Sequence, residues 1–498
     1  MILEAFAQAL QNFTDLGLLV FMAGGVITGL VFGIIPGIGG LLAMALFLPF
    51  IFVMRPENAL PFLVAVSAVC YTGGAITAIL LNIPGQEPSA ATLIDGYPMT
   101  QKGEAGRALG AALTSSGLGG VVTVFLALAM IPLILPMVMA ILSADLVFII
   151  LLGIAFMGVL TTGSQIKGLV SGGLGLMISL IGFQAITGEP RFAFGSVYLY
   201  VGIGLVPLIL GIFAIPEMIA LAVEGGTIAK TGVVIKGMHD VLEGAKDVFR
   251  YWTVWLRSTI IGYIIGIVPG IGATAATFIA YGQAKQMSKH PEKFGTGTVE
   301  GVIAPESANN AKEAGSLLTT LALGIPGSAA MAILLGAFLM LGLIPGPEMM
   351  TKHLDLSLTL LLVIIVANIL AVAICFPAAP HLARIASIPG RILIPLVLVI
   401  ALVGVYAYRE LFNDVIVALV FSVLGLAMRR FGFNRPALVL GYVLGGLFEH
   451  YLFIALAVSG PLFFVRPISL TVIVIIITLF TFGPIKNLFQ RRRGVKRA

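Results

Sequence analysis

GLVFGIIPGIGG, from Gly29 to Gly40, decides the fold because it interrupts an apolar run that extends from about residue 16 to residue 54. Proline lacks the backbone N–H that a helix needs and glycine accepts positive φ angles, so Pro36-Gly37 breaks the helix. In a bilayer, the backbone groups freed by such a break must be paired by protein, water or a bound solute. The same break recurs in GYIIGIVPGIG, residues 262–272. The sequence therefore predicts two broken membrane helices of one kind.

The composition is that of a membrane protein. Of the 498 residues, 59% are hydrophobic and 10% are charged, and the mean hydropathy is +1.10. Soluble domains carry about 25% charged residues. One span needs about 20 apolar residues, so the apolar blocks predict about 10 to 14 transmembrane or half-spanning helices. We predict an all-α polytopic membrane protein in a lipid bilayer. The net charge of +6 reflects loop bias and indicates no nucleic-acid partner.

The two halves of the chain repeat each other. Pro36 and Pro269 are 233 residues apart, and a second pair of breaks, at Pro84 and Pro326, is 242 residues apart. Paired apolar segments interrupted by Gly and Pro are typical of transporters with inverted repeats. We predict an inverted repeat whose broken helices either cross the membrane or form re-entrant hairpins. The predicted divisions are a first transmembrane repeat at residues 1–225, a charged cytoplasmic linker at 226–257 and a second repeat at 258–498.

Basic residues predict the orientation. Arginines occur at residues 384 and 391 and at 429–435, and the tail at 491–497 is rich in arginine and lysine, whereas the loops between carry less positive charge. By the positive-inside rule, these three sites and the C-terminus face the cytoplasm.

Broken helices offer binding groups at their ends. A helix that starts after Pro-Gly presents free N–H groups to an anion, and the arm before the break presents carbonyls that suit Na⁺ or a proton-linked water. Single Gly-x3-Gly spacings serve helix packing more often than binding, but four breaks in register favour a site. The candidates at the breaks are Gly37, Gly39, Asn82, Gly85, Gln86, Ser89, Gly270, Gly272, Thr274, Gly327 and Ser328.

The most polar stretch, EGVIAPESANNAKEAGS at residues 300–316, continues directly into an apolar segment. Asn309 and Asn310 can each donate and accept, as a multi-carboxylate substrate and its coupling ion require, and we add both to the substrate-binding candidates. For Glu306 and Lys312, a functional role and a solvated helix start capped by Ser307 are equally good interpretations. The sequence predicts no firm metal site, and Na⁺ is expected near Ile35, Asn82, Val268 and Asn310.

Other charges indicate less. Asp95, Arg107 and Lys167 are expected at the membrane interface, and the histidines lack metal-ligand spacing. The chain contains no Walker A, HExxH or GxSxG sequence. We therefore predict that the chain is not an enzyme and needs no cofactor besides a coupling ion, Na⁺ or H⁺.

Three stretches resemble one family. They are GxxxGxxPGIG, PGQEPSAATLIDGYPMTQKGEAGRAL at residues 84–109, and APESANNAKEAGSLLTTLALGIPGSAAMAILLGAFLMLGLIPGP at residues 304–347. They are similar to the large, TctA-type permease subunit of the tripartite tricarboxylate transporters, over about residues 20 to 440. Lys312 and Glu313 stand where many members have small residues.

The resemblance implies a function and partners. It implies a subunit of the bacterial inner membrane that works with a periplasmic solute-binding protein and a small four-helix membrane subunit. It implies import of citrate or other carboxylates, driven by an ion gradient without ATP. A stand-alone ion-coupled carboxylate symporter is the alternative. Citrate, tartrate, other dicarboxylates and aromatic acids are all open as substrates.

Overall fold

The computed structural model describes residues 2–35, 38–159, 164–184, 187–223, 237–385 and 390–478. In chain order the α-helices are α1 (Ile2–Asn12), α2 (Leu16–Ile34), α3 (Gly39–Phe47), α4 (Pro56–Leu81), α5 (Ser89–Gln101), α6 (Ala105–Met139), α7 (Ser143–Val159), α8 (Gln165–Ser179), α9 (Val197–Tyr200), α10 (Leu205–Ile209), α11 (Ile215–Val223), α12 (Met238–Arg250), α13 (Trp252–Ile267), α14 (Gly272–Met287), α15 (Glu300–Leu323), α16 (Ala329–Met340), α17 (Pro347–Thr351), α18 (Leu354–Ile385), α19 (Gly390–Arg409), α20 (Phe412–Phe431) and α21 (Arg435–Ser459). Short 3-10 or π-helical turns cover Leu48–Val53, Leu210–Ala214, Pro291–Lys293 and Gly460–Val465. The two strands, β1 (Gly182–Phe183) and β2 (Pro190–Arg191), pair antiparallel.

The helices confirm the predicted all-α polytopic class. Within the described residues, eight helical stretches are long and apolar enough to cross a membrane, and five shorter apolar helices accompany them. The eight are Leu16–Ile34, Pro56–Leu81, Ala105–Met139, Leu205–Val223, Leu354–Ala379, Ile392–Arg409, Phe412–Phe431 and Arg435–Val465.

The chain forms two compact units. Unit 1 contains residues 1–136 and 204–426, and unit 2 contains residues 137–203 and 427–498. The predicted division into two repeats and a linker stays a prediction. Of that linker, residues 226–236 lie outside the described residues, and α12 with the start of α13 occupies most of the rest.

Unit 1 is built on α4 and α15. Every residue from Ala59 to Leu80 in α4 is buried, and so is every residue from Gly301 to Ala322 in α15. The two buried stretches begin and end 242 residues apart, the same distance that separates Pro84 from Pro326. The polar run of α15 is therefore not a solvated helix start but the inside of the unit.

The first break has the same backbone geometry in both halves of the chain. Ile35, after α2, has φ −82° and ψ 113°, and Val268, after α13, has φ −84° and ψ 113°. The next helices start at Gly39 and Gly272 with φ of +67° and +76°, a region that glycine enters without strain. The break predicted for PGIG is therefore present in both copies.

Unit 2 packs α7 and α8 against α21. Glycines allow the contact between α8 and α21, because a Cβ on Gly175 would lie 1.9 Å from the carbonyl oxygen of Leu438. Asp145 at the start of α7 accepts a hydrogen bond from the Ser469 hydroxyl at 2.7 Å. Lys167 in α8 donates to the carbonyl of Phe431 at 2.6 Å.

Candidate functional site

The two buried helices of unit 1 contact each other in an antiparallel register. The hydroxyl of Ser67 donates to Glu313 at 2.9 Å, and Asn310 donates to the hydroxyl of Thr72 at 2.8 Å. Residue numbers rise along α4 as they fall along α15. The candidates Asn309 and Asn310 are therefore buried within a helix and do not lie in a loop, and Asn310 contacts α4.

Glycines allow the helix before the first break of each half, α2 or α13, to pack closely on α4 or α15. A Cβ on Gly33 would lie 2.1 Å from the carbonyl oxygen of Cys70, and a Cβ on Gly266 would lie 2.2 Å from that of Lys312. Cys70 and Lys312 are again 242 residues apart. Because no side chain fits at such distances, α2 packs on α4 in the same way that α13 packs on α15.

The helices that follow the breaks pack across the two halves. α3 contacts α16, and α14 contacts α5. The Thr277 hydroxyl of α14 donates to the carbonyl of Pro88, just before α5, at 3.1 Å. Ala273 in the first turn of α14 packs with Cys70 and Tyr71 of α4. All four breaks therefore border the α4–α15 pair.

A buried ion pair lies on the α4–α15 contact. The ammonium of Lys312 pairs with the carboxylate of Glu313, and each side chain is only 1% exposed. The ammonium also donates to the hydroxyl of Tyr71 at 3.2 Å and lies 4.4 Å from the centroid of its ring. Among the described residues, Lys312 is the one buried lysine or arginine. The site thus holds a fixed cation that an internal carboxylate neutralises.

Asn310 belongs to a hydrogen-bonded network of uncharged groups. Its Nδ2 donates to Thr72 and to Oδ1 of Asn368, at 2.8 Å and 2.7 Å, and Asn368 donates in turn to the carbonyl of Ile364 at 2.8 Å. These contacts fix the orientation of the Asn310 amide. Its Oδ1 is buried, and no described group donates to it.

Glu306 lies one turn earlier on α15, without an ionic partner among the described residues. Its Oε1 accepts from the hydroxyl of Thr92 on α5, whereas its buried Oε2 has no hydrogen bond from any described residue. The nearby Asn309 amide and the hydroxyl of Ser89 are also buried and unpaired within the described part of the chain.

Asp95 is buried inside unit 1, and its expected position at the membrane interface stays a prediction. Its Oδ2 accepts from the hydroxyl of Tyr281 at 2.8 Å, and its Oδ1 accepts from the backbone N–H groups of Gly295, Gly297 and Thr298 at 2.8 to 3.0 Å. Asp95 therefore positions the segment that leads into α15. The sequence signal was the glycine-rich GTGT run at 295–298, whose free N–H groups need an acceptor.

The first-half candidates meet at the second break. A Cβ on Gly39 would lie 3.4 Å from Cγ of Gln86. Gln86 donates to the carbonyl of Cys70 at 2.6 Å. Gly85 is in close contact with the backbone of α4 and of Gly33. Asn82 ends α4 in a left-handed conformation with its side chain exposed, and Gly37 lies outside the described residues.

The second-half candidates are arranged similarly. Gly327 packs against Ser316, and Ser328 caps α16 by accepting from the N–H of Met331 at 3.4 Å. Gly270 and Gly272 have positive φ, and Thr274 is half-buried in the first turn of α14.

Hydroxyl groups occupy some of the carbonyls that were expected to hold Na⁺. Ser316 donates to the carbonyl of Gly266 at 3.1 Å, and Thr319 donates to that of Ile267 at 3.0 Å. The expected Na⁺ position near Ile35, Asn82, Val268 and Asn310 stays a prediction. No described group of three His, Cys, Asp or Glu side chains could hold a metal ion.

Comparison with known proteins agrees with this architecture. The model of the tripartite tricarboxylate transporter TctA family matches residues 19–440. The chain belongs to this family. It is a multi-pass membrane subunit of the tricarboxylate-transporter type, as the sequence resemblance predicted.

Two relatives come from Agrobacterium vitis. An uncharacterised 52.8 kDa protein in the TAR-I ttuC' 3' region is 35% identical over 455 residues, covering 91% of this TctA-family chain and 90% of the relative. An uncharacterised protein in the TAR-II ttuC' 3' region is 36% identical over 211 residues, covering 42% of this chain and 87% of the relative. No solved structure matches the chain.

Proposed function

We propose that the chain is the large membrane subunit of a binding-protein-dependent secondary transporter. It imports citrate-like tricarboxylates or related carboxylates, and a Na⁺ or H⁺ gradient drives the import. A periplasmic solute-binding protein delivers the substrate, and a small four-helix subunit completes the complex in the bacterial inner membrane. Membership of a transporter family supports the transport class. The buried Lys312 is the observation that best supports an anionic substrate.

An anion needs a positive partner in this interior. A buried charge is stable only when it is paired. Among the described residues, Lys312 is the one buried lysine or arginine that could pair with an anion. The start of α14 lies next to it, because Ala273 packs on Tyr71 and Tyr71 contacts the ammonium. The free N–H groups and the positive dipole end of α14 favour a carboxylate at the same place.

The start of α14 also has room for a ligand. A Cβ on Gly272 would meet no atom within 4 Å, unlike those on Gly33 and Gly266. In the proposed cycle, Glu313 neutralises Lys312 before the substrate arrives. A substrate carboxylate then joins Glu313 at the ammonium, and the Ser67 hydroxyl keeps its hydrogen bond to Glu313. The buried lysine and Glu313 therefore stay paired with each other while the substrate binds.

Omission of single components tests the proposal. Cells that express this chain, the small subunit and the binding protein should accumulate a labelled carboxylate from a panel that includes citrate and tartrate. Removal of the binding protein should abolish that uptake, and dissipation of the ion gradient should do the same. Full uptake without the binding protein would identify a stand-alone symporter instead. Absence of carboxylate uptake under every condition would contradict the substrate class.

A further inference from the structure

Six completely buried side chains of unit 1 have a polar atom without a hydrogen bond among the described residues: Ser89, Ser258, Thr259, Glu306, Asn309 and Asn310. Glu306, Asn309 and Ser89 are the three that lie along the contact between α5 and α15. These atoms are Oε2 of Glu306, both amide atoms of Asn309, and Oγ of Ser89. Buried polar groups in native proteins are nearly always paired, so several unpaired groups together indicate a ligand.

The helix register brings the three side chains together. α5 is antiparallel to α15, because Asp95 borders Gly301 and Thr92 donates to Glu306 one turn further. Ser89 lies one turn before Thr92, and Asn309 lies one turn after Glu306, each on the same helix face as its neighbour. The next pair in this register is therefore Ser89 and Asn309.

The α4 helix contacts both of the other helices near this point. Asn310, next to Asn309 on α15, donates to Thr72 of α4. The hydroxyl of Ser89 is 2.7 Å from the position that a Cβ on Gly74 would take. Ser89 and Asn309 therefore lie at the junction of α4, α5 and α15. The Asn309 amide also lies near the Glu306 carboxyl.

We propose that Glu306 Oε2, Asn309 Oδ1 and Ser89 Oγ bind Na⁺ as the coupling ion. Carboxylate, amide and hydroxyl oxygens are the ligands that hard cations prefer. One carboxylate supplies one negative charge, which matches a monovalent ion. That full charge exceeds the partial positive charge at the start of α5. A proton on Oε2 of Glu306 would pair with Oδ1 of Asn309 but would leave the Ser89 hydroxyl without a partner, whereas Na⁺ can contact all three oxygens.

This site assigns the coupling ion of the proposed transporter. The role of the ion in coupling rests on the proposed function. It lies on α15 one to two turns from Lys312, since Glu306 and Asn309 precede it by six and three residues. Cation and carboxylate would therefore bind the same buried helix, and each would lower the cost of burying the other.

Na⁺ binding can be measured without transport. The purified full chain in detergent is unfolded thermally in NaCl and in choline chloride of equal ionic strength. We expect NaCl to raise the unfolding temperature of the wild type, because a ligand that binds only the folded state stabilises it. Glu306→Gln should lose this shift. Asn309→Ala should weaken the apparent Na⁺ affinity about tenfold, as expected for the loss of one ligand.

Glu300→Gln is the matched control on the same helix, since Glu300 contacts Ser288 and lies outside the junction. It should keep the Na⁺ shift. An unfolding temperature that Na⁺ does not change in the wild type would overturn the proposal, and so would a full Na⁺ shift in Glu306→Gln. A response to pH alone that depends on Glu306 would identify a proton carrier and would also overturn it. Carboxylate uptake is scored separately, so failure of the transport proposal is distinguishable from failure of the ion site.

Discussion

Removal of either member of the Lys312–Glu313 pair leaves an unpaired charge inside unit 1. Both side chains are 1% exposed, and the ammonium has only the uncharged hydroxyl of Tyr71 as its other hydrogen-bond partner among the described residues. Removing one partner of a buried ion pair costs about 3 to 5 kcal/mol. We therefore expect Lys312→Met and Glu313→Gln each to lower the free energy of unfolding by about this amount.

The double variant separates stability from transport. Lys312→Met/Glu313→Gln contains neither charge, so its unfolding free energy should lie within about 2 kcal/mol of the wild type. It should nevertheless fail to import a carboxylate, because the buried cation is gone. Denaturation in mixed micelles can be followed by tryptophan fluorescence. The two tryptophans, Trp252 and Trp255, both lie on α13, which packs against α15.

The partly exposed pair Lys246–Glu243 is the matched control. Its ammonium and carboxylate are 2.7 Å apart, and exposed pairs contribute about 0 to 1 kcal/mol. Changes there should leave both stability and uptake almost unchanged. If the loss of unfolding free energy in the double variant equals the sum of the losses in Lys312→Met and Glu313→Gln, the two charges are not coupled as described. Normal uptake by the double variant would refute the proposed role of Lys312.

Three further changes test the helix contacts. Gly266→Ala should abolish uptake because its Cβ would lie 2.2 Å from a carbonyl oxygen of α15, whereas Gly282→Ala, whose Cβ meets no atom within 4 Å, should transport normally. Asn310→Ala should insert into the membrane but lose uptake, with a stability loss of about 1 to 3 kcal/mol from its missing hydrogen bonds, measured by denaturation. Asp95→Ala should speed hydrogen exchange at the amides of residues 295, 297 and 298, because all three N–H groups donate to the carboxylate that this change removes.

Each of these has a contradicting result. Equal uptake by Gly266→Ala and Gly282→Ala would show that the close helix contact is not required. Wild-type uptake by Asn310→Ala would remove that residue from the site. Unchanged exchange in Asp95→Ala would mean that the backbone of the loop is held by other contacts.

The helix breaks could be predicted from local chemistry. Pro36 and Pro269 lack a backbone donor, and Gly39, Gly270 and Gly272 adopt positive φ angles that are unfavourable for most other residues. The resulting geometry recurs at the predicted spacing, down to the backbone angles of Ile35 and Val268. Asn309 and Asn310, chosen because a polar run continues into an apolar segment, are buried, and their role in substrate binding stays a prediction.

The partners of those residues could not be predicted. Ser67, Thr72 and Thr92 lie in ordinary apolar or small-residue sequence, and only the antiparallel packing of α4 and α5 on α15 brings them to Glu313, Asn310 and Glu306. Sequence distance hides such contacts, since Ser67 and Glu313 are 246 residues apart.

Substrate protection at the start of α14 tests the central claim most directly. Thr274→Cys places a thiol in the half-buried first turn of α14, in a background where Cys70 and Cys375, both buried, are replaced by Ala. The reconstituted complex must retain uptake, and the rate of thiol modification is then measured with and without the transported carboxylate. We expect the carboxylate to slow modification, and Lys312→Met to remove this protection. Equal modification rates with and without substrate would contradict a carboxylate site beside Lys312, as would full protection in Lys312→Met.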